Sequence, residues 1–286
     1  MKFTIKEFNE RFPTSDACLD YLMDKRYGKE FVCPKCKEES KFFKITGRQV
    51  YSCMHCRYQI SPLAGTIFHK SSTDLRTWYL ALFLMSTTRT GISAKQLERM
   101  TGVTYKTAWR MFKQIRSLMA DDNNDPLSGV VEVDETYIGG VRKGKTGMAA
   151  AKEKGGVQGM VERGGRIRGM VIGSTRADEL ITNIQANVKP GSTVMTDQLS
   201  TYRDLPYQGY PMHWTINHSQ HRYAYGTVST NTIEGFWGNF KKAVEGVYRH
   251  VDIKYLQNYV DEFAFRYSNR KSDVPMFELL LLRTIL

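Results

Sequence analysis

Two CxxC pairs constrain the fold of this chain more than any other feature of its sequence. Cys33 and Cys36 form the first pair, in CPKC, and Cys53 and Cys56 form the second, in CMHC, with sixteen residues between the pairs. This spacing is typical of four thiolates that hold one tetrahedral structural zinc ion. Disulfides and a thioredoxin-like redox site are the alternatives. A reducing compartment disfavours the first, and the lack of a βαβ pattern around either pair disfavours the second.

The segment between the pairs indicates how such a centre is built. KFFKITGRQVYSC alternates apolar and polar residues around a Thr-Gly turn, which predicts a small β-ribbon that needs the metal in order to fold. His55 lies inside the second pair, but four sulfur atoms already complete the shell. Cys18 is expected to pack on a short N-terminal helix that Ser15 caps.

Composition narrows the class of partner. The chain has 286 residues and a formal net charge of +12, which favours a polyanion such as nucleic acid. A hydrophobic content of 41% allows a sizeable core, in one large domain with one or two small ones. No apolar run approaches the roughly 20 residues of a membrane span, and MKFTIKEFNE lacks the apolar core of a signal peptide. We therefore expect a cytoplasmic protein associated with the bacterial nucleoid.

Helical patterns follow the cysteine region. An apolar helix is predicted over about residues 73–86, and two further helices, over about 93–100 and from 104 onward, flank a Thr-Gly-Val turn. Helix, Gly-containing turn, helix is the arrangement of a DNA-binding helix-turn-helix, although a plain helical hairpin has the same pattern. The residues of the second helix available for a groove or for phosphates are Thr104, Tyr105, Lys106, Arg110 and Lys113.

The second half of the chain predicts an α/β domain. GVVEVDETYIGG is a strand with Asp134 embedded in it, and a buried carboxylate is costly unless it is paired or bound to a cation. Glu135 points to the opposite face and is expected to be structural. Two strands, a helix and the short strand of GSTVMTDQLSTY follow, with Asp197 at the carboxyl end of that strand. Ligand sites gather at such ends, although a turn-forming Asp is the plainer interpretation.

A further strand, HWTINHS, precedes an amphipathic helix in STNTIEGFWGNF. Glu234 and Lys241, seven residues apart, share a strip beside its apolar face. A salt bridge of Lys241 with Glu245 is the alternative to a functional role. After the first strand, residues 139–168 are strongly basic, and the Gly-rich first part predicts a mobile loop that tracks the DNA backbone, or else a solvated insertion. Its candidate DNA contacts are Arg142, Lys143 and Lys145.

The order of these elements is that of the ribonuclease H-like fold of nucleotidyl transferases. Over nearly its whole length the chain resembles the DDE transposases of small bacterial insertion sequences, specifically the zinc-ribbon-bearing, ISXO-like group. The phrases that carry the likeness are CPKC, SPLAGTIFHKSSTDLRTWYLALFLM, VEVDETYIGG, MTDQLSTY, NHS, NTIEGFWGNFKK and VDEFAFRYSNR.

The resemblance implies that Asp134, Asp197 and Glu234 form the metal-binding triad for two Mg²⁺ or Mn²⁺ ions, and that Lys241 is the basic residue that follows the last acid. Asn217 and His218 are further candidates that would orient substrate or metal-bound water, or else form a satisfied polar pair at the end of a strand. Asn231, one turn before Glu234, would support a ligand of the metal without binding the ion itself, or else begin the helix.

These inferences predict a multidomain α/β protein. The expected parts are an N-terminal helical segment (1–30), a zinc ribbon (31–70), a helix-turn-helix (71–120), a linker (121–129) and a ribonuclease H-like catalytic domain (130–286) with a basic insertion (139–168). The expected activity is to bind the terminal inverted repeats of an element in double-stranded DNA, nick the ends, and join each 3′-OH to target DNA. A homodimer or larger assembly would hold two ends together. A DNA-binding regulator derived from a transposase and a metal-dependent nuclease without strand transfer are the alternatives.

Overall fold

The chain forms two compact units. The computed structural model describes residues 3–121, 125–139, 155–216 and 228–285. The N-terminal unit comprises residues 1–88, 92–118 and 272–286, and the C-terminal unit comprises residues 89–91 and 119–271. The sequence-based boundary assigned residues 272–286 to the catalytic domain, whereas in the structure they group with the N-terminal unit.

The helices and strands of the described ranges follow one another in this order: α1 Ile5–Arg11, α2 Ser15–Tyr27, β1 Glu30–Val32, β2 Glu39–Lys44, β3 Tyr51–Cys53, β4 Gln59–Ile60, α3 Leu75–Thr87, α4 Ala94–Thr101, α5 Tyr105–Ser117, β5 Val130–Ile138, β6 Gly155–Glu162, β7 Ile167–Ile172, α6 Ala177–Asn187, β8 Thr193–Asp197, β9 His213–Ile216, α7 Asn231–Ala243, α8 Ile253–Ser268 and α9 Met276–Arg283. Two 3₁₀ turns, Ser200–Tyr202 and Leu205–Gln208, follow β8, and a π-helical turn, Val244–Tyr248, extends α7. None of these helices combines the length and apolar character that a membrane crossing requires.

The ribbon predicted between the cysteine pairs is confirmed. Strands β1 to β4 form an antiparallel sheet in chain order, and Gly47, with φ of 74°, lies in the turn that joins β2 to β3. Cys18 is buried in α2, as expected. The predicted cap of that helix is wrong by one residue, because the side chain of Thr14, not Ser15, accepts the hydrogen bond from the Ala17 N–H.

Aromatic packing explains why the C-terminal segment belongs to the N-terminal unit. The ring of Phe277, on α9, lies 5.8 to 5.9 Å from the rings of Phe8, Phe12 and Phe83. Rings at such separations contribute more than their buried area alone. Arg11 also forms an ion pair with Glu278.

Two helices and a short turn lie where the sequence predicts them. Helix α4 ends at Gly102, with φ of 75°, and the side chain of Thr104 caps α5 by accepting from the Thr107 N–H. One face of α5 is buried and comprises Ala108, Met111, Phe112 and Ile115. Whether this helix pair reads DNA stays a prediction.

The C-terminal unit is built on a five-stranded mixed sheet with the order β7-β6-β5-β8-β9. Strands β5, β6 and β7 are antiparallel neighbours, whereas β8 runs parallel to β5 and β9 parallel to β8. Apolar side chains of β5 pack with those of α6 on one face, and α7 and α8 pack on the other. The predicted order of strands and helices is therefore confirmed.

Parts of the predicted linker (121–129) and basic insertion (139–168) lie in the core or in strands of the C-terminal unit. Leu127 is fully buried and forms a parallel bridge with Val188, so the end of the linker packs in the C-terminal unit. Strand β6 and the start of β7 occupy part of the predicted insertion 139–168. Its residues 140–154 lie outside the described ranges.

Two arginines counted in that insertion make internal contacts instead of forming a mobile basic surface. Arg168 Nε lies 2.7 Å from Asp121 Oδ2, and Arg163 Nε lies 2.7 Å from Glu132 Oε1. The sequence shows their charge but not their partners, which lie 47 and 31 residues away.

The fit of α7 against the sheet can be tested at Gly159. A Cβ atom at this position of β6 would lie 2.4 Å from Trp237 Cζ2 and 2.8 Å from Ile233 Cδ1, both on α7. We expect Gly159→Ala to lower the free energy of unfolding of the C-terminal unit by about 1–3 kcal/mol, because the helix must shift. Gly238→Ala is the matched control on α7: nothing lies within 4 Å of its added Cβ. That change should raise stability by about 0.5–1 kcal/mol. Urea unfolding measures both, and equal stability of the two variants would contradict this packing.

Candidate active site and metal centre

The four thiols of the ribbon converge as a metal centre requires. Cys33 Sγ lies 3.6 Å from Cys56 Sγ, and Cys36 Sγ lies 3.9 Å from Cys53 Sγ. A tetrahedral zinc ion with Zn–S bonds of about 2.3 Å needs sulfur atoms about 3.8 Å apart. All four ligand atoms lie within 4.8 Å of one another, and in the described part of the chain this is the one group of three or more His, Cys, Asp or Glu residues that does so. The cysteines therefore fit one structural zinc ion.

The same local turn presents each cysteine pair. Lys37 and Arg57, each directly after the second cysteine of its pair, have φ of 65° and 63°. Their N–H groups donate to the carbonyl oxygens of Cys33 and Cys53, at 2.9 and 3.2 Å. Each turn folds the chain back so that its two thiols face the same point.

The thiols differ in their proton affinity. Burial raises the pKa of Cys53, but hydrogen bonds with the N–H groups of Cys56 and His55 and with the Ser40 hydroxyl have the larger combined effect. The net result is a pKa lowered to about 6. A backbone N–H at Glu38 lowers the pKa of Cys36, but burial and hydrogen bonds with the neighbouring sulfur atoms raise it to about 12. Zinc binds cysteine as the thiolate, so a bound ion would favour the deprotonated form of all four.

Asp134 and Asp197 occupy equivalent positions on neighbouring parallel strands. The paired register of β5 and β8 ends at Glu132 opposite Met195, and each aspartate lies two residues further along its strand. Neighbouring strands are about 4.8 Å apart, and alternation places both side chains on the face of Glu132. Asp134 also pairs with Gly159, whose added Cβ would meet α7, so this is the face that α7 covers.

A buried carboxylate attaches α7 to the same strand. Glu132 has no solvent exposure, and its oxygens accept hydrogen bonds from the N–H groups of Thr232 and Ile233 at 2.8 and 3.1 Å and from the Thr232 hydroxyl at 2.9 Å. The side chain of Thr230, the residue that caps α7, makes no cap hydrogen bond to the helix. Glu132 therefore satisfies the first N–H groups of a helix 100 residues away.

Arg163 extends this contact. Its Nε donates to Glu132 Oε1 at 2.7 Å. Its Nη2 donates to the carbonyl oxygen and the hydroxyl of Ser229, at 2.8 and 2.7 Å. A guanidinium beside a buried carboxylate offsets the cost of removing both charges from water. The residue just before the cap of α7, Ser229, is therefore held together with the start of the helix.

Glu234 lies in the first turn of α7, two residues beyond the attached Thr232. The Thr230 hydroxyl donates to Glu234 Oε1 at 2.7 Å and fixes the orientation of the carboxylate. Lys241 is exposed on the same helix. Within the described ranges it makes no ion pair, so the salt bridge to Glu245 considered from the sequence is not formed.

Glu135 marks the electrostatic character of this region. Burial, followed by the charges of Asp134 and Asp197, raises the pKa of Glu135 to about 8. Its buried Oε1 has no hydrogen-bond partner. The charges of Asp134 and Asp197 thus act on Glu135, and like charges in one region favour the protonated form of this carboxyl group.

The three acids are less tightly grouped than the thiols. The ligand atoms of Asp134, Asp197 and Glu234 do not all lie within 4.8 Å of one another.

The other candidate residues have different surroundings. Asn231 is exposed at the first position of α7, and the five candidate residues of α5 and its cap are all exposed. Arg110 also lies over the Trp78 ring at 6.0 Å, so part of its side chain packs on the protein. The remaining candidates lie outside the described residues: Asn217, His218, Arg142, Lys143 and Lys145.

Sequence reasoning missed three residues that build the site: Glu132, Arg163 and Thr230. One signal was available for the first of them, because Glu132 shares with Asp134 the same face of an apolar strand, where an unpaired carboxylate is costly. The partners of Glu132 lie too far along the chain for any local pattern to reveal them.

Comparison with known proteins adds independent information. Residues 126–268 match the model of the ISXO2-like transposase domain, and residues 13–59 match that of the transposase zinc-ribbon domain. A relative from Halobacterium salinarum, described as an uncharacterized protein in transposable element ISH50, is 28% identical over 241 residues. The aligned region covers 78% of this chain and 81% of the relative.

Zinc content tests the metal centre. We expect one zinc per chain by elemental analysis, and loss of that zinc in Cys53→Ser, because three thiolates hold the ion far less tightly. Hydrogen exchange should then increase over β1 to β4. Cys18→Ala is the control, because Cys18 lies outside the cluster and should leave the zinc content at one. Full zinc occupancy in Cys53→Ser would contradict the assignment.

The contact between β5 and α7 makes a second prediction. Glu132→Ala leaves Arg163 and the first N–H groups of α7 without their acceptor, so we expect a loss of about 3–5 kcal/mol in the free energy of unfolding of the C-terminal unit. Glu135→Gln, at a buried carboxyl whose Oε1 has no partner, should change that quantity by less than about 1 kcal/mol or raise it. Urea unfolding and hydrogen exchange at Thr232 and Ile233 measure the difference. Similar losses in both variants would contradict a special role for Glu132.

Proposed function

The chain belongs to the ISXO2-like transposase family, and from this membership we propose that it is a DDE-type transposase in which Asp134, Asp197 and Glu234 hold the catalytic cations. One observation carries the residue assignment. Asp134 and Asp197 lie two residues beyond the last paired position of neighbouring parallel strands, and Glu132 attaches the helix of Glu234 to the first of those strands.

A ribonuclease H-like fold is part of the proposal. The sheet order β7-β6-β5-β8-β9, with three antiparallel strands followed by two parallel ones and helices on both faces, supports it. In such a sheet, acids on two adjacent central strands and on a covering helix can approach one edge. Three carboxylates from three separate elements then provide the hard oxygen ligands that Mg²⁺ or Mn²⁺ prefers.

The donor set suits such ions: Asp134 and Asp197 are carboxylates at equivalent positions of neighbouring strands, and their charges contribute to the raised pKa of Glu135. Two bound cations would activate the attacking oxygen and stabilise the leaving oxygen at phosphorus. The chain itself orients the ligands: the Thr230 hydroxyl holds Glu234, and the Leu199 N–H donates to Asp197 Oδ1 at 3.0 Å. Lys241, which lies seven residues after Glu234, is proposed to contact a DNA phosphate near the cleaved bond.

DNA recognition is proposed for the N-terminal unit. The exposed residues Thr104, Tyr105, Lys106, Arg110 and Lys113 lie on or beside α5, whose inner face is buried, as in a recognition helix. The zinc ribbon and this helix pair would bind the terminal inverted repeats. Nicking would expose a 3′-OH, which the same active site would join to target DNA. A dimer or larger assembly would hold two ends together.

Asp197→Asn tests the catalytic assignment. We expect this change to lower the nicking and joining of labelled element ends by more than about 100-fold. Loss of a residue that only supports a metal ligand costs roughly 10- to 100-fold, and here the ligand itself is removed. Binding of the ends should survive. Asp204→Asn is the control, since Asp204 is an exposed carboxylate that caps a 3₁₀ turn without a side-chain hydrogen bond.

The same assay separates the alternatives. A regulator would bind ends without metal-dependent cleavage, and a nuclease would cleave but never join a 3′-OH to a plasmid target. Full activity in Asp197→Asn would remove Asp197 from the mechanism.

A further inference from the structure

A cationic cavity lies on the C-terminal unit beyond the acids. It has a volume of about 340 Å³, and Tyr137 and Ile138 at the end of β5 line it together with Lys241, Glu245, Arg249 and His250. The lining thus includes two permanent cations, an imidazole and one carboxylate. The volume falls at the lower end of the range for sites that bind small molecules or nucleotides.

The backbone at Arg249 is strained. Its φ and ψ are 65° and −43°, and the His250 N–H donates to the Tyr248 carbonyl oxygen at 2.7 Å, which makes a γ-turn of the rare form with positive φ. Such conformations cost about 1–3 kcal/mol and are found mainly where a side chain must be held in a particular place. Among the described residues, four non-glycine residues have positive φ, and Arg249 is the one that lies in the C-terminal unit.

Neighbouring contacts hold this turn in place. A π-helical turn, Val244–Tyr248, leads into it, and such turns are frequent at functional sites. The Tyr248 hydroxyl donates to Glu262 Oε1 at 2.8 Å, and Glu262, fully buried, forms an ion pair with Arg266 at 2.6 Å. Through the Tyr248 hydroxyl, the strained turn is therefore fixed to a buried side chain of α8. Two adjacent residues, Arg249 and His250, line the cavity from this turn.

The geometry points to a second DNA-phosphate site in this cavity, formed by Lys241, Arg249 and His250. This inference rests on the proposed function, because it requires DNA at the adjacent acids. Ile138 follows Asp134 by four residues, about 13 Å along a strand, and Lys241 follows Glu234 by seven residues, about 10 Å along a helix. The phosphate held here flanks the cleaved one instead of being cleaved. Glu245 reduces the positive charge, so the cavity suits a single phosphate.

Binding of DNA over a series of salt concentrations tests this site. The full-length, zinc-containing protein is titrated, without added Mg²⁺, against a labelled duplex of the element end and against a scrambled duplex of equal length. We expect Arg249→Gly to reduce the slope of log K against log salt by about 0.9, the change for one lost phosphate contact, and to weaken binding of both duplexes by the same factor.

The choice of glycine keeps this result independent of folding. Glycine adopts positive φ without strain, so Arg249→Gly should raise the melting temperature while it weakens DNA binding. Lys242→Ala is the matched control, because Lys242 is exposed, follows Lys241 directly and does not line the cavity. An unchanged slope in Arg249→Gly, or an equal reduction in Lys242→Ala, would overturn the inference.

Two further measurements separate possible sources of failure. First, the slope of log K against log salt is measured for Asp197→Asn with and without Arg249→Gly. If Arg249→Gly still reduces the slope there, the phosphate site is supported even if the three acids prove to have no role in catalysis. A wild-type protein that binds neither duplex would overturn both the site and the proposed function. Inorganic phosphate is also titrated in a thermal shift assay, and saturable stabilisation that Arg249→Gly abolishes, without any change in DNA binding, would assign the cavity to free phosphate instead.

Discussion

The C-terminal unit depends on the hydrogen bonds of one buried carboxylate, that of Glu132. A charged group without solvent exposure is tolerated only where donors replace water, and here two backbone N–H groups, a hydroxyl and a guanidinium do so. Because these donors belong to α7 and to the turn after β6, one side chain fixes a helix, a strand and a turn relative to one another. Two of the acids proposed to bind metal, Asp134 and Glu234, lie two residues from Glu132 and from Thr232, respectively.

The parts that the sequence predicts well are those whose partners are close in the chain or follow a strict period. Cys33 and Cys36 meet through one turn, and the buried residues of α5 recur with helical spacing, so local patterns suffice. The alternation of β5 likewise separates Asp134 from Glu135. By contrast, Glu132 finds Thr232 across 100 residues, and nothing in either local segment encodes that pairing.

Charge was the least reliable guide. Arg163 and Arg168 increase the basic count of the predicted insertion, but each is used to neutralise an acid inside the unit. A count of charged residues cannot distinguish a guanidinium that faces solvent from one that holds two elements together. The same limit applies to Glu135, which the sequence presents as one of three acidic residues in a strand, whereas burial and the charges of Asp134 and Asp197 raise its pKa to about 8.

The position of α9 affects how the chain is made. This helix supplies Phe277 to the core around Phe8, Phe12 and Phe83, yet roughly 150 residues of the other unit are synthesised between residue 118 and the segment that carries it. At ribosomal rates of about 5–20 residues per second, this corresponds to a delay of roughly 8–30 s. During that interval the nascent N-terminal unit lacks the ring of Phe277, so part of its apolar surface stays exposed until α9 has been made.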